Sequence, residues 1–176
     1  FIVIKENLNK FQFYEFLRDY HERHQKHNPK ANVGGEEGVT AVLDGQQRLT
    51  SIYIGLKGSY AYKTPRKRWD NDLAYPKRKL YVNLITPTEN IDLKYDFRFL
   101  TEEEAKIKDN ITLWFRVGEI LDLKEAASVN RYLIENRIFY DYGEEQANFA
   151  NDTLSKLHSI IHIKPTISYY LETSSK

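Results

Sequence analysis

The stretch Val39-Thr40-Ala41-Val42-Leu43-Asp44-Gly45-Gln46-Gln47-Arg48 constrains the chain path more than any other. A β-branched apolar run reads as a buried strand. Asp-Gly marks a turn, because glycine takes backbone angles other residues resist. The pattern from Leu49 through Leu56 is helical, with a stop at Gly55 or Gly58, so a helix is predicted to begin at Gln46 or Gln47. The first amides of any helix have no partner inside it, and the helix dipole adds positive potential there. Strand, tight turn and helix start together make an anion site suited to phosphate or carboxylate. Arg48 would add a planar, permanently charged fork that matches phosphate oxygens. Gln46 and Gln47 each offer an amide donor and an acceptor. The plainer reading is that Asp44 is an N-cap and Arg48 a surface residue paired with it. Two glutamines and an arginine in one helical turn exceed what a cap requires.

The segment LDGQQRLTSIYIGL, Leu43 to Leu56, resembles the signature of the DUF262 family, found in GmrSD-type modification-dependent restriction enzymes and related phage-defence proteins. The resemblance implies a ParB/sulfiredoxin-like fold, nucleotide binding and hydrolysis, and an HNH-type nuclease domain, C-terminal or on a partner. It makes Asp44, Gly45, Gln46, Gln47 and Arg48 nucleotide-site residues, with GTP or ATP as the nucleotide and Mg²⁺ as a candidate companion ion. Asp44 would hold that ion or else cap the helix and position Arg48, and Gln46 or Gln47 would orient water or a phosphate oxygen. The family's upstream aromatic, glycine-containing segment is matched here by Phe1 to Lys5 alone. Its downstream Phe-x-Arg-x-Asn-x-x-Gly-type motif has no counterpart before Lys176, and no HNH-type cluster occurs. The chain opens on Phe1 and contains no methionine, which reads as a piece of a longer protein.

A second candidate lies at Lys57 to Lys79, where eight basic residues face two acids, Asp70 and Asp72. Tyr60, Tyr62, Trp69 and Tyr75 are interleaved. Lysines and arginines neutralise backbone phosphates, and aromatics stack on bases. Arg66, Lys67, Arg68, Trp69, Lys77, Arg78 and Lys79 are therefore candidate nucleic-acid contacts, with DNA as the expected partner. The alternative function is then a non-catalytic DNA-binding or sensing module, and a third is a scaffold presenting a nuclease domain. The plain reading of the segment is a solvated loop with Trp69 tucked onto the body. A net charge of +1 rules out a polycation held to nucleic acid by bulk charge.

Other groups point away from chemistry. With no cysteine there is no thiolate zinc site, disulfide or thiol nucleophile. His21, His24 and His27 recur at a spacing that does not keep one helical face, and read as a solvated helix end. His158 and His162 lack the intervening glutamate of a zinc-protease motif. Gly34-Gly35 lacks the lysine of a phosphate-binding loop. Glu102 to Glu104 after Thr101 reads as a capped helix start rather than a carboxylate pair for acid/base work or Mg²⁺. No apolar run reaches the roughly 18 residues of a membrane span, and no signal sequence opens the chain, so a cytoplasmic, membrane-free protein is expected.

The remaining elements complete an α+β expectation: a small mixed sheet around the central strand with flanking helices, a helical second half, and one domain over residues 1–176. Strands are predicted at Phe1 to Ile4, Leu80 to Leu84, Ile91 to Phe99 and Ile111 to Val117, with the second and third paired antiparallel. Helices are predicted from Asn7 or Asn9 to about His24, with Asn28-Pro29 closing the element, from about Leu123 to Phe139, and from about Glu144 to Ile160. A last strand is expected from Ile161 to Leu171.

Overall fold

The computed structural model describes every residue except Ile91, Thr166, Tyr169 and residues 172–176. The fold is α+β, and the chain divides into two compact units, residues 1–75 with 167–176, and residues 76–166.

In the first unit, β1 (Ile2–Ile4) pairs antiparallel with β3 (Val39–Ala41), and β2 (Asp19–His21) pairs parallel with β4 (Ser59–Ala61). The expected mixed sheet around the central strand is instead a set of small separate sheets, and β3 has β1 as its one ladder partner. That central strand is half-exposed rather than buried, and Leu43 just beyond it is 67% exposed. The helix expected up to His24 is also absent. One 3₁₀ turn, Leu8–Lys10, gives way to extended backbone at Phe11. The competing force is tertiary pairing. Glu15 N–H donates to the Pro29 carbonyl, Ala31 N–H to Phe13, and Leu17 N–H to the Asn28 side chain. Leu17 is buried, while Phe11 and Tyr14 are each 57% exposed, so no helical stripe is buried. In the parallel pair, Tyr20 stacks on Tyr60 with ring centroids 4.6 Å apart, and Ser59 Oγ donates to Asp19.

Helix α1 (Gln46–Lys57) joins β3 to β4 and ends at Gly58, with Gly55 buried inside it. Gly58 is required by proximity. A Cβ there would sit 1.8 Å from the Arg18 carbonyl oxygen, the same oxygen that accepts from Ser59 N–H.

In the second unit, β5 (Lys79–Asn83) is flanked by β6 (Phe97–Leu100) and β7 (Trp114–Arg116), both antiparallel to it. The β5–β6 pair agrees with expectation. The strand expected from residue 91 starts only at Phe97, because Asn90 accepts the Asp92 N–H through its side chain and closes a local turn. Ile91 itself lies outside the described residues. Asn83, buried at the end of β5, uses its whole amide. Oδ1 accepts from Ile85 and Leu113 N–H, and Nδ2 donates to Thr86 Oγ1 and the Ile111 carbonyl. These bonds hold residues 111–113 beside β5, so β7 is shorter than the expected 111–117 strand.

Thr101 caps α2 (Glu102–Ala105) in a reciprocal box with Glu104, as the spacing predicts. The long helix expected from Leu123 to Phe139 is two, α3 (Ala126–Glu135) and α4 (Ile138–Asp141). Arg137 takes a left-handed φ of 57° between them, and the break lets Ile138 reach full burial. α5 (Glu144–His158) packs on α3 and runs on as a π-type turn, Ser159–Ile163. The strand expected from Ile161 is therefore helical at its start. His162 Nε2 lies 2.7 Å from the Ile120 carbonyl and pins that turn. Thr166 and Tyr169 of that expected strand are outside the described residues.

Candidate functional site

The turn from β3 into α1 is built as its residue types require. Gly45 is the N-cap at φ 75°, a left-handed conformation that a side chain resists. Asp44 Oδ1 accepts the Gly45 N–H at 2.7 Å, so Asp44 orders the turn without capping the helix itself. The Leu49 N–H returns to the Gly45 carbonyl and begins the helical ladder. The N–H groups of Gln46, Gln47 and Arg48 have no partner among the described residues, the condition that makes a helix start attractive to anions.

The side chains divide the work. Gln46 Nε2 donates back to the Val42 carbonyl at 2.7 Å and ties the helix start to the end of β3. That donor is spent on structure, and its Oε1 remains as an acceptor. Gln47 is exposed and uses its backbone carbonyl to accept from Ser51 Oγ. Arg48 has no side-chain hydrogen bond or ion pair among the described residues. Its guanidinium arches over the turn. A Cβ on Gly45 would stand 3.4 Å from Nη2 and 3.7 Å from Nε. Glycine at 45 thus serves both the backbone angle and the approach of the arginine. An open depression of about 400 Å³ lies at this turn, lined by Leu43, Asp44, Gly45, Gln46, Gln47 and Arg48. The plainer pairing of Arg48 with Asp44 does not form.

Among the described residues no group of three or more histidines and carboxylates is arranged to hold a metal ion. His158 and His162 have rings 5.0 Å apart, but each Nε2 lies within hydrogen-bond distance of a backbone carbonyl, Lys124 and Ile120 respectively. His21 Nδ1 accepts from the Arg23 and His24 N–H groups in a tight turn, which replaces the helix end expected there.

The basic candidates separate. Arg66, Lys67, Arg68 and Trp69 lie on an exposed loop of the first unit, and Lys77, Arg78 and Lys79 belong to the second. Arg78 is only 5% exposed and donates to the Pro76 carbonyl, so it is no surface cation available to a phosphate backbone. Trp69 is 69% exposed rather than tucked away. The Arg23 guanidinium carbon lies 5.7 Å from its ring centroid. Arg23 is itself held by Asp72 Oδ1 at 2.9 Å and the Asp70 carbonyl at 2.7 Å. His24 Nε2 meets the same Asp72 oxygen at 2.7 Å, and the carboxyl is held below its usual range by that bond and, next, by Arg23. Arg68 holds the Asp70 carboxyl low in the same way. The Arg23, His24 and Asp72 cluster escaped sequence reasoning. Asp72 stands 49 positions from Arg23 and 48 from His24, and no periodicity connects it to them.

Neither a protein-family model nor a curated protein matches this chain. No helix among the described residues is long and apolar enough to cross a membrane.

Proposed function

We propose that the turn at residues 43–48 binds the phosphates of a nucleoside triphosphate and takes part in its hydrolysis, within a DNA restriction or phage-defence protein of the DUF262 type with a ParB/sulfiredoxin-like fold. One observation carries the reading. An arginine and three helix N–H groups, all without partners among the described residues, sit over a left-handed glycine at an open depression. In phosphoryl transfer the protein chiefly positions groups and stabilises charge, and this arrangement supplies both. The N–H groups of Gln46 to Arg48 receive phosphate oxygens, and the Arg48 fork neutralises them. Gln47, whose amide is unengaged among the described residues, orients water or a phosphate oxygen. GTP and ATP are the candidate nucleotides. Mg²⁺ bound by one carboxylate and the substrate's own phosphates would need no preformed cluster of ligands, and Asp44, whose Oδ1 alone is engaged with the Gly45 N–H, would be the carboxylate to hold it. DNA and an HNH-type nuclease domain are the proposed partners, and the cytoplasm the proposed location.

The test is hydrolysis of GTP, ATP, CTP and UTP by the protein and by Arg48→Ala. A charge-assisted contact of this kind is worth roughly 1.5–3 kcal/mol, so turnover should fall about ten- to a hundredfold. Unchanged turnover removes Arg48 from the site.

A further inference from the structure

The loop over residues 62–75 is more ordered than its polarity requires. Thr64 N–H donates to the Ala74 carbonyl at 2.7 Å and closes its base. Lys63 Nζ donates to the Lys67 carbonyl, and Tyr75 Oη donates to the Trp69 carbonyl at 2.8 Å. Arg66 is held at a left-handed φ of 63°. From this frame Trp69 projects into solvent, with the Arg23 guanidinium over its ring and Asp72 fixing Arg23. The side chains of Arg66 and Lys67 are exposed and have no hydrogen bond or ion pair among the described residues. A pre-ordered indole backed by a cation, with two unengaged cations two and three residues before it, has the chemistry of a base-stacking site with phosphate contacts. The loop's one regular element is a single 3₁₀ turn at Asp72–Ala74, too short to enter a duplex groove, and stacking on an exposed ring needs a base whose face is uncovered.

We propose that Trp69, backed by Arg23, stacks on an unpaired base of a single-stranded nucleic acid, while Arg66 and Lys67 contact its backbone phosphates. This is a binding function distinct from the nucleotide site at residues 43–48. Lys77, Arg78 and Lys79 take no part in it.

The experiment is fluorescence anisotropy with end-labelled oligothymidylate, oligouridylate and a mixed-sequence duplex, at two salt concentrations, using the whole chain. The single strands should bind more tightly than the duplex. Trp69→Ala should weaken that binding on the order of tenfold or more, with Trp69→Phe keeping most of it. Arg66→Ala and Lys67→Ala should each weaken it and reduce the slope of log K against log salt by about 0.7. Circular dichroism checks that each variant is folded, as expected for exposed positions. The oligothymidylate and oligouridylate arms separate DNA from RNA. The proposal is overturned if neither single strand binds, if the duplex binds as well, or if Trp69→Ala binds like the parent. Failed nucleotide hydrolysis leaves the stacking result standing, and failed oligonucleotide binding leaves the hydrolysis reading standing.

Discussion

The two compact units differ in how many large apolar side chains they bury, although each leaves several exposed. In the second, Val82, Leu84, Phe115, Ile120, Leu133, Ile138 and Leu154 are completely or almost completely withdrawn from solvent, and the Phe115 ring of β7 meets Tyr132 of α3 edge-on at 5.1 Å. In the first, the buried hydrophobics are Leu17, Ile54, Ala61, Ala74 and Tyr75, while Phe11, Tyr14, Leu43, Ile52, Trp69 and Leu73 remain well exposed. The first unit adds short pairings such as Arg23 with Asp72 and Arg68 with Asp70, each with an exposed carboxylate, and the second has ion pairs of its own, such as Lys108 with Asp141. Exposed ion pairs contribute little beside the burial of a leucine or phenylalanine. Both proposed recognition features, the 43–48 turn and the Trp69 loop, stand on the thinly filled unit. The better-filled one supplies ordinary core packing. On the proposed reading, groups meant for a ligand are left uncovered at the cost of buried area.

That contrast can be pushed hardest by emptying the better core. Leu133→Ala should destabilise the protein by about 3 kcal/mol, since a fully buried leucine leaves a cavity among neighbours that cannot collapse. Urea unfolding followed at Trp114, the indole of the second unit, gives the value, and a cost under 1 kcal/mol would mean that this core is loosely filled. Gly58→Ala probes the first unit where backbone meets backbone. The added methyl falls on the Arg18 carbonyl, and a loss of about 2 kcal/mol is expected from a thermal melt read at Trp69. Thr153→Val reverses the sign. The buried Thr153 hydroxyl has no hydrogen-bond partner among the described residues, so an isosteric apolar replacement should stabilise by about 1 kcal/mol. A destabilised valine variant would reveal a partner for that hydroxyl.

The smallest effect is acid titration of the Trp69 loop. Asp70 and Asp72 are held below the ordinary carboxylate value of 3.8, chiefly by hydrogen bonds from Arg68 and His24 respectively. Groups with depressed folded pKa values stabilise above the unfolded value, and the contribution fades as pH drops through the folded one. Trp69 emission should therefore be flat down to pH ~4 and change below it. A transition centred above pH 5 would assign the loop's order to some other group.

The parts of this molecule that could be read in advance are those set by neighbours in sequence. Gly45 and the Thr101–Glu104 box act within one turn, and α1 and α2 accordingly begin where the residues say. The segment from Asn7 to His24 could not be read this way, because its fate is decided by Pro29, Asn28 and Ser59 across the fold. An apolar spacing of three and four was outweighed there by ladder and side-chain bonds to distant residues. The break at Arg137 failed for a related reason, since only tertiary burial of Ile138 makes a left-handed arginine worthwhile. The residues of the 43–48 turn were legible because they are contiguous. Arg23 and Asp72 were not, because nothing local relates them.

The meeting of Gly58 with the Arg18 carbonyl has a mechanical consequence. With main chain against main chain and no side chain between to yield, the C-terminal end of α1 is a fulcrum. If the turn captures an anion as proposed, any tilt of this helix would be taken up at the opposite end, where Gly45 at φ 75° is the natural hinge, and that one residue would set how far the helix can follow its ligand.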